Sequence, residues 1–155
     1  MMTLKSRRRI WFALGWAPAL LLAGGYMVSQ EYYSVYGNPI KNIRVGEVWL
    51  KVEVVRTPEK IGRGLGGRSS LPEGRGMLFV MPKRDLQDFW MQGMRVALDI
   101  VWIDRDRIVG LESNISPDHP GILTSPSPVN LVLEVPGGFC ARRGIKVGDQ
   151  VVLKP

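Results

Sequence analysis

Alternating apolar and polar residues, short apolar runs cut by turn residues, and one long uncharged run near the N-terminus predict an α+β, β-rich chain. The expected architecture is a small, closed or nearly closed, mainly antiparallel, barrel-like sheet with two short helices. One N-terminal transmembrane helix precedes it.

The first element is the uncharged run Ile10 to Val28, IWFALGWAPALLLAGGYMV, of 19 residues. At about 1.5 Å per residue a helix of this length spans roughly 28 Å, the hydrocarbon core of a bilayer. Lys5, Arg7, Arg8 and Arg9 precede it, and no acid occurs before Glu31. The positive-inside rule then assigns residues 1–9 to the cytoplasm and 10–28 to a signal anchor in the inner membrane. Everything downstream is extracytoplasmic, or periplasmic. Trp11 and Trp16 near one end, with Tyr32, Tyr33 and Tyr36 beyond the other, suit the two interfaces. Pro18 is tolerated in a membrane helix, and Gly24–Gly25 let a second helix approach closely. The alternative, a cleaved signal peptide, lacks a clean small-x-small site before a polar start.

This topology changes the meaning of the charge. Of 21 Lys and Arg, four precede the apolar run, leaving 17 against 14 acids. The basic balance follows from membrane orientation and gives no ground for a nucleic-acid partner. The lone Cys140 cannot form an internal disulfide and reads as a small buried side chain.

Residues 29–44 read as a tether, and 45–155 as the extracytoplasmic domain. Val45 to Val55 alternates, with Val48, Leu50, Val52 and Val54 on one face and Trp49, Lys51 and Glu53 on the other, and predicts a strand. Thr57-Pro58-Glu59 opens a helix to about Leu65: threonine caps, proline fits the first turn, and glutamate suits the positive end. Leu71 to Gly74 is a turn into the central block, where Met77–Met81, Asp88–Met91 and Ala97–Ile103 predict strands separated by Pro82–Leu86 and Gln92–Arg95. Asp104 to Arg107 turns a hairpin into Ile108–Leu111. Asn114 to Asn130, rich in Pro and Ser, reads as a long surface loop. Val129–Val135 is a strand, Gly137–Gly144 a short helix, and Val147–Leu153 the last strand, for about seven strands in all.

Candidate chemistry concentrates in five residues: Arg68, Trp90, Gln92, Asp99 and Glu134. Asp99 and Glu134 lie on different strands, and a shared cleft would let a protonated and an ionised carboxyl do glycosidase-like work. The structural alternative is a buried Asp99–Arg68 ion pair holding the first helix on the sheet. Phe89 and Trp90 either stack on a sugar or other ring, or fill the core. One histidine, His119, and one cysteine far from it give no metal site, and no cofactor is implied. GRGLGGRSS lacks the lysine and the strand-to-helix setting of a phosphate loop. No serine sits in a nucleophile elbow.

The order TPEKIGRGLGGRSSL, GMLFVM, DFWMQGM, ALDIVWID, LVLEVPGG and GIKVGDQVVL resembles the family called domain of unknown function 192. The match runs over roughly Val48 to Leu153. The resemblance implies a β-rich domain with short helices and no established activity. Its recurrent positions fall here on Gly64–Leu65, Arg68, Gly76 to Phe79, Phe89 to Met91, Leu98 to Ile100, Glu134 and Gly148–Asp149. The chain departs from the family's pattern at Gln92-Gly93-Met94, where a Lys-Asn-Thr type of triplet is usual, and at Ala97, where proline is. The expected role is therefore a non-enzymatic, membrane-anchored domain acting as an accessory or stabilising subunit beside other membrane proteins. The alternative is a small-ligand module for carbohydrate or an envelope component; a carboxylate hydrolase is the third option.

Overall fold

The computed structural model of the chain describes residues 32–153. The basic N-terminus, the expected membrane helix with Trp11, Trp16, Pro18, Gly24 and Gly25, and the first residues of the expected tether lie outside the described residues. Among the described residues, no helix is long and apolar enough to cross a membrane.

The strand expected over Val45–Val55 is a hairpin. Gly46 turns the chain at φ +55°, which glycine adopts without a Cβ clash. Val45 then pairs with Val48, and β2 (Pro39–Val45) folds back on β3 (Val48–Val55). A two-residue strand, β1 (Tyr32–Tyr33), adds to β2. From Tyr32 onward the expected tether is thus part of the sheet. Its polar look comes from β2 being only partly covered: Ile43 and Val45 are buried and Asn42 is exposed.

The helix α1 (Pro58–Arg63) starts as expected, with Thr57 accepting a hydrogen bond from the Lys60 N–H at 3.4 Å. Its last residue is Arg63, two before the expected Leu65, and Gly64 follows with φ +49°. It leads into β4 (Arg75–Asp85), which runs parallel to β3. β4 absorbs most of the expected turn at Pro82–Leu86 as an irregularity between Val80 and Asp85, a setting that tolerates proline. β5 (Asp88–Trp90) leaves the main sheet. β6 (Leu98–Asp104) and β7 (Arg107–Ile115) form the expected hairpin. The expected long loop holds the end of β7 and a further strand, β8 (Ile122–Thr124), which pairs with β5. β9 (Val129–Pro136) inserts between β4 and β6, α2 (Phe139–Arg143) follows, and β10 (Val151–Leu153) pairs with β2.

The main sheet has eight strands in the order β1-β2-β3-β4-β9-β6-β7, with β10 also on β2. The β3–β4 parallel pair makes it mixed. It is not closed: β7 and the segment before β10 meet through the single Arg107–Gln150 bridge and a few loop hydrogen bonds, not a continuous ladder. The expected closure is corrected because β10 is only three residues long.

Both faces of the sheet are covered. One carries Val52, Leu78, Val101 and Leu133 beneath Phe139 and Cys140 of α2. The other carries Met77, Ile100, Trp102 and Val132 beneath Leu65 and Phe89. That two-sided burial explains why β6 reads as a nearly continuous apolar run, and each large side chain so buried stabilises by about 1.5–3 kcal/mol. Phe89 stands edge-on to Phe79 at 5.0 Å and to Trp102 at 5.6 Å, fixing β5 over this second face.

Candidate functional site

Asp99 lies in β6 opposite Val135 of β9, and its side chain is fully buried. Oδ1 accepts hydrogen bonds from the Asn114 and Gly138 N–H groups, and Oδ2 from the Cys140 N–H, all at 2.7 Å. Gly138, at the N-cap of α2, has no side chain to cap the helix, so a carboxylate from a neighbouring strand supplies the acceptor. The expected Asp99–Arg68 pair does not form. Burial first, and the adjacent Asp99 carboxylate second, push the Cys140 thiol up, so it stays a protonated, unreactive filler.

Arg68 pairs instead with Glu53 of β3, donating from Nη1 to Oε1 and from Nη2 to Oε2 at 2.9 Å. Glu53 Oε2 also accepts from Ser34 Oγ at 2.9 Å and Asn38 Nδ2 at 2.8 Å, and Arg68 lies 4.0 Å over the Tyr36 ring. Burial alone would raise the Glu53 carboxyl. The hydrogen bonds from Arg68, Asn38 and Ser34, with the arginine charge, outweigh it and hold the group below its ordinary value. This cluster clamps residues 34–38 onto the sheet. Glu53 went unnoticed in the sequence because an acid on the polar face of an alternating strand usually faces solvent.

Glu134 of β9 lies across from Met77 on one side and Ile100 on the other, so its side chain joins the second core face. There it lines a cleft of about 90 Å³ with Leu65, Phe79, Met81, Phe89 and Met94. Among the described residues nothing hydrogen-bonds its buried Oε2. Burial pushes the carboxyl up to about 8, against a partial pull downward from the Arg68 charge, so at neutral pH the group holds its proton. Arg63, Asp88, Trp90 and Gln92 also line the cleft.

Trp90 is half exposed and lies across from Ile122 in the β5–β8 pair. Together with Gln92 it also lines a second, wider cleft of about 600 Å³ that includes His119. The structure therefore brings Trp90, Gln92 and Glu134 together and leaves Asp99 on the opposite face of the sheet. Arg68 does not line the cleft and is paired with Glu53. Among the described residues no group of three or more His, Cys, Asp and Glu is placed to hold a metal ion.

No curated protein matches the chain. The crystal structure of a protein of unknown function from Novosphingobium aromaticivorans DSM 12444 is similar at 30% identity and a TM-score of 0.76, covering 81% of this chain and 94% of that one. A protein from Sinorhizobium meliloti 1021, whose description proposes a transcription regulator, is similar at 26% identity and a TM-score of 0.71. That likeness covers 75% of this chain and 95% of the Sinorhizobium protein. The model of a family described as uncharacterized ACR matches residues 41–153, which include every side chain of the cleft, and the chain belongs to this DUF192 family.

Proposed function

We propose that the protein is a membrane-anchored, extracytoplasmic, non-enzymatic module that binds a small ligand in the cleft lined by Glu134. The observation that carries the proposal is the buried Oε2 of Glu134, without a hydrogen-bond partner among the described residues and beside a largely apolar hollow. A buried polar atom left unsatisfied costs about 1–3 kcal/mol, and a ligand that hydrogen-bonds it recovers that cost on binding. Trp90 and Gln92 at the edge supply a flat apolar face and an amide, the combination common in small-molecule sites. A thermal-shift screen of the full-length protein tests the proposal. The expected result is a stabilising ligand whose effect disappears in Trp90→Ala; a screen in which every hit is indifferent to that change counts against it. The anchor and its orientation rest on the apolar run and the basic residues before it. N-terminal sequencing of protein extracted from membranes checks them, since a start near residue 29 means cleavage.

A second reading, an accessory subunit docking on other membrane proteins, is favoured by one observation. Tyr32, Tyr33, Val35 and Trp49 are exposed on the β1–β3 part of the sheet. Co-purification in mild detergent decides it: a stable companion supports the reading, and a chain that always runs alone removes it.

A further inference from the structure

The size, polarity and surroundings of the Glu134 cleft narrow the ligand further, on the footing of the binding role above. The hollow is open on one side, and at about 90 Å³ it is smaller than the roughly 150 Å³ apolar cavity that accommodates benzene, so a short substituent fits it better than a ring. Leu65, Phe79, Met81, Phe89 and Met94 make much of its wall apolar, and Arg63, Asp88 and Gln92 add polar groups. The buried Glu134 Oε2 has no hydrogen-bond partner among the described residues; as a neutral acid Glu134 has a proton to donate and calls for an acceptor. Arg63 and Asp88 line the same hollow with opposite charges and the Arg68 charge also reaches Glu134, so the balance around the acid is positive and disfavours a cationic group. A carbonyl oxygen on a small, partly methylated stem meets all three requirements, and an acetamido group is the smallest common example.

Trp90 lines both clefts with a half-exposed indole, as does Gln92 with its amide. An indole face packs on the apolar face of a pyranose ring, and an amide beside it satisfies hydroxyls in either sense. The wider cleft, about 600 Å³, shares Trp90 and Gln92 with the hollow and has room for a further unit. We infer that the site takes a chain of N-acetylated amino sugars, with one acetamido group in the Glu134 hollow, its ring over Trp90 and the next unit along the His119 side.

The test is calorimetric titration of the full-length protein in a detergent without a sugar headgroup. Three probes are used: a β-1,4-linked trimer of N-acetylglucosamine, the glucose trimer of the same linkage, and N-acetyl-lysine amide. The amino-sugar trimer is expected to bind, and the glucose trimer at least about tenfold more weakly, because it leaves the buried acid unpaired. Trp90→Ala and Glu134→Ala are each expected to weaken the trimer at least about tenfold, while Glu134→Gln, which keeps a donor, retains binding. Equal binding of the glucose trimer, preference for the lysine amide, or a trimer indifferent to Trp90 overturns the inference. So does the absence of trimer binding. A Trp90-dependent hit of other chemistry in the wider screen then leaves the small-ligand role standing, whereas silence in both experiments removes both.

Discussion

Asp99 and Glu134 sit one residue out of register on neighbouring strands, Asp99 across from Val135 and Glu134 across from Ile100, and so they face opposite sides of the sheet. Strand side chains alternate, which sends one carboxylate under α2 and the other into the cleft. A two-carboxylate hydrolase built on this pair has no common space for a substrate. Asp99 acts as a brace, and Asp99→Asn turns one acceptor into a donor that faces backbone N–H groups. The expected loss is roughly 2–4 kcal/mol, read as a lower urea midpoint at unchanged m-value. Ligand titration on the folded variant should be unaltered.

Glu134 makes stability depend on pH in a direction opposite to most acids. Its ordinary value is 4.5 and its folded value about 8, so between those limits the folded state holds a proton that the unfolded state has released. Stability is full below the lower value, falls as pH rises at up to about 1.4 kcal/mol per unit, and levels off above the upper one. The charged groups around this acid are Arg63 of α1, Arg68 of the following loop and Asp88 of β5. Glu134→Gln keeps the shape and removes the proton, so its denaturation midpoint is expected to lose most of the slope between pH 5 and 8.

The strands of the central block could be read from the sequence because β6, β9 and the first half of β4 are apolar runs whose burial on both faces leaves few alternatives. The hairpin at Gly46 could not, because the valines continue across it and a two-residue turn barely interrupts the alternation. β8 was hidden in a Pro/Ser-rich segment: it is three residues long, and its middle residue Leu123 packs only at the margin of the core. In the site, Trp90, Gln92 and Glu134 were identified individually. Their grouping, and the separation of Asp99 and Arg68 into different clusters, depends on register, and a shift of one residue reverses every side chain's face.

Arg68 and Glu53 hold residues 34–38 to the sheet through a doubly hydrogen-bonded pair supported by Ser34 and Asn38. Arg68→Ala leaves a mostly buried carboxylate with weaker donors and is expected to cost roughly 1.5–3 kcal/mol. The depressed Glu53 carboxyl contributes stability that is present above its ordinary value of 4.5 and fades as pH falls through its lower folded value. The variant should therefore lose part of the wild type's acid sensitivity. Hydrogen exchange localises the effect: the amides of Gly37 and Asn38 should exchange faster in Arg68→Ala, while those of β9 keep their protection.

Gly76 tests the packing that sets Glu134 in place. A Cβ there would lie 2.6 Å from the Glu134 carbonyl oxygen and 3.1 Å from Val135 Cγ1, so β4 can pass β9 at this point only without a side chain. Gly76→Ala forces the strands apart and is expected to cost about 1–3 kcal/mol. It should also weaken ligand binding, because the displaced residue is Glu134 itself. Gly62 provides the contrast: it lies in α1 without a positive φ, and a Cβ there meets nothing within 4 Å. Gly62→Ala should stabilise the domain by about 0.5–1 kcal/mol through helix propensity alone. Thermal denaturation of both variants separates close strand contact from a general intolerance of change around the cleft. Opposite signs are expected, and a loss of stability in both would count against the strand-contact account.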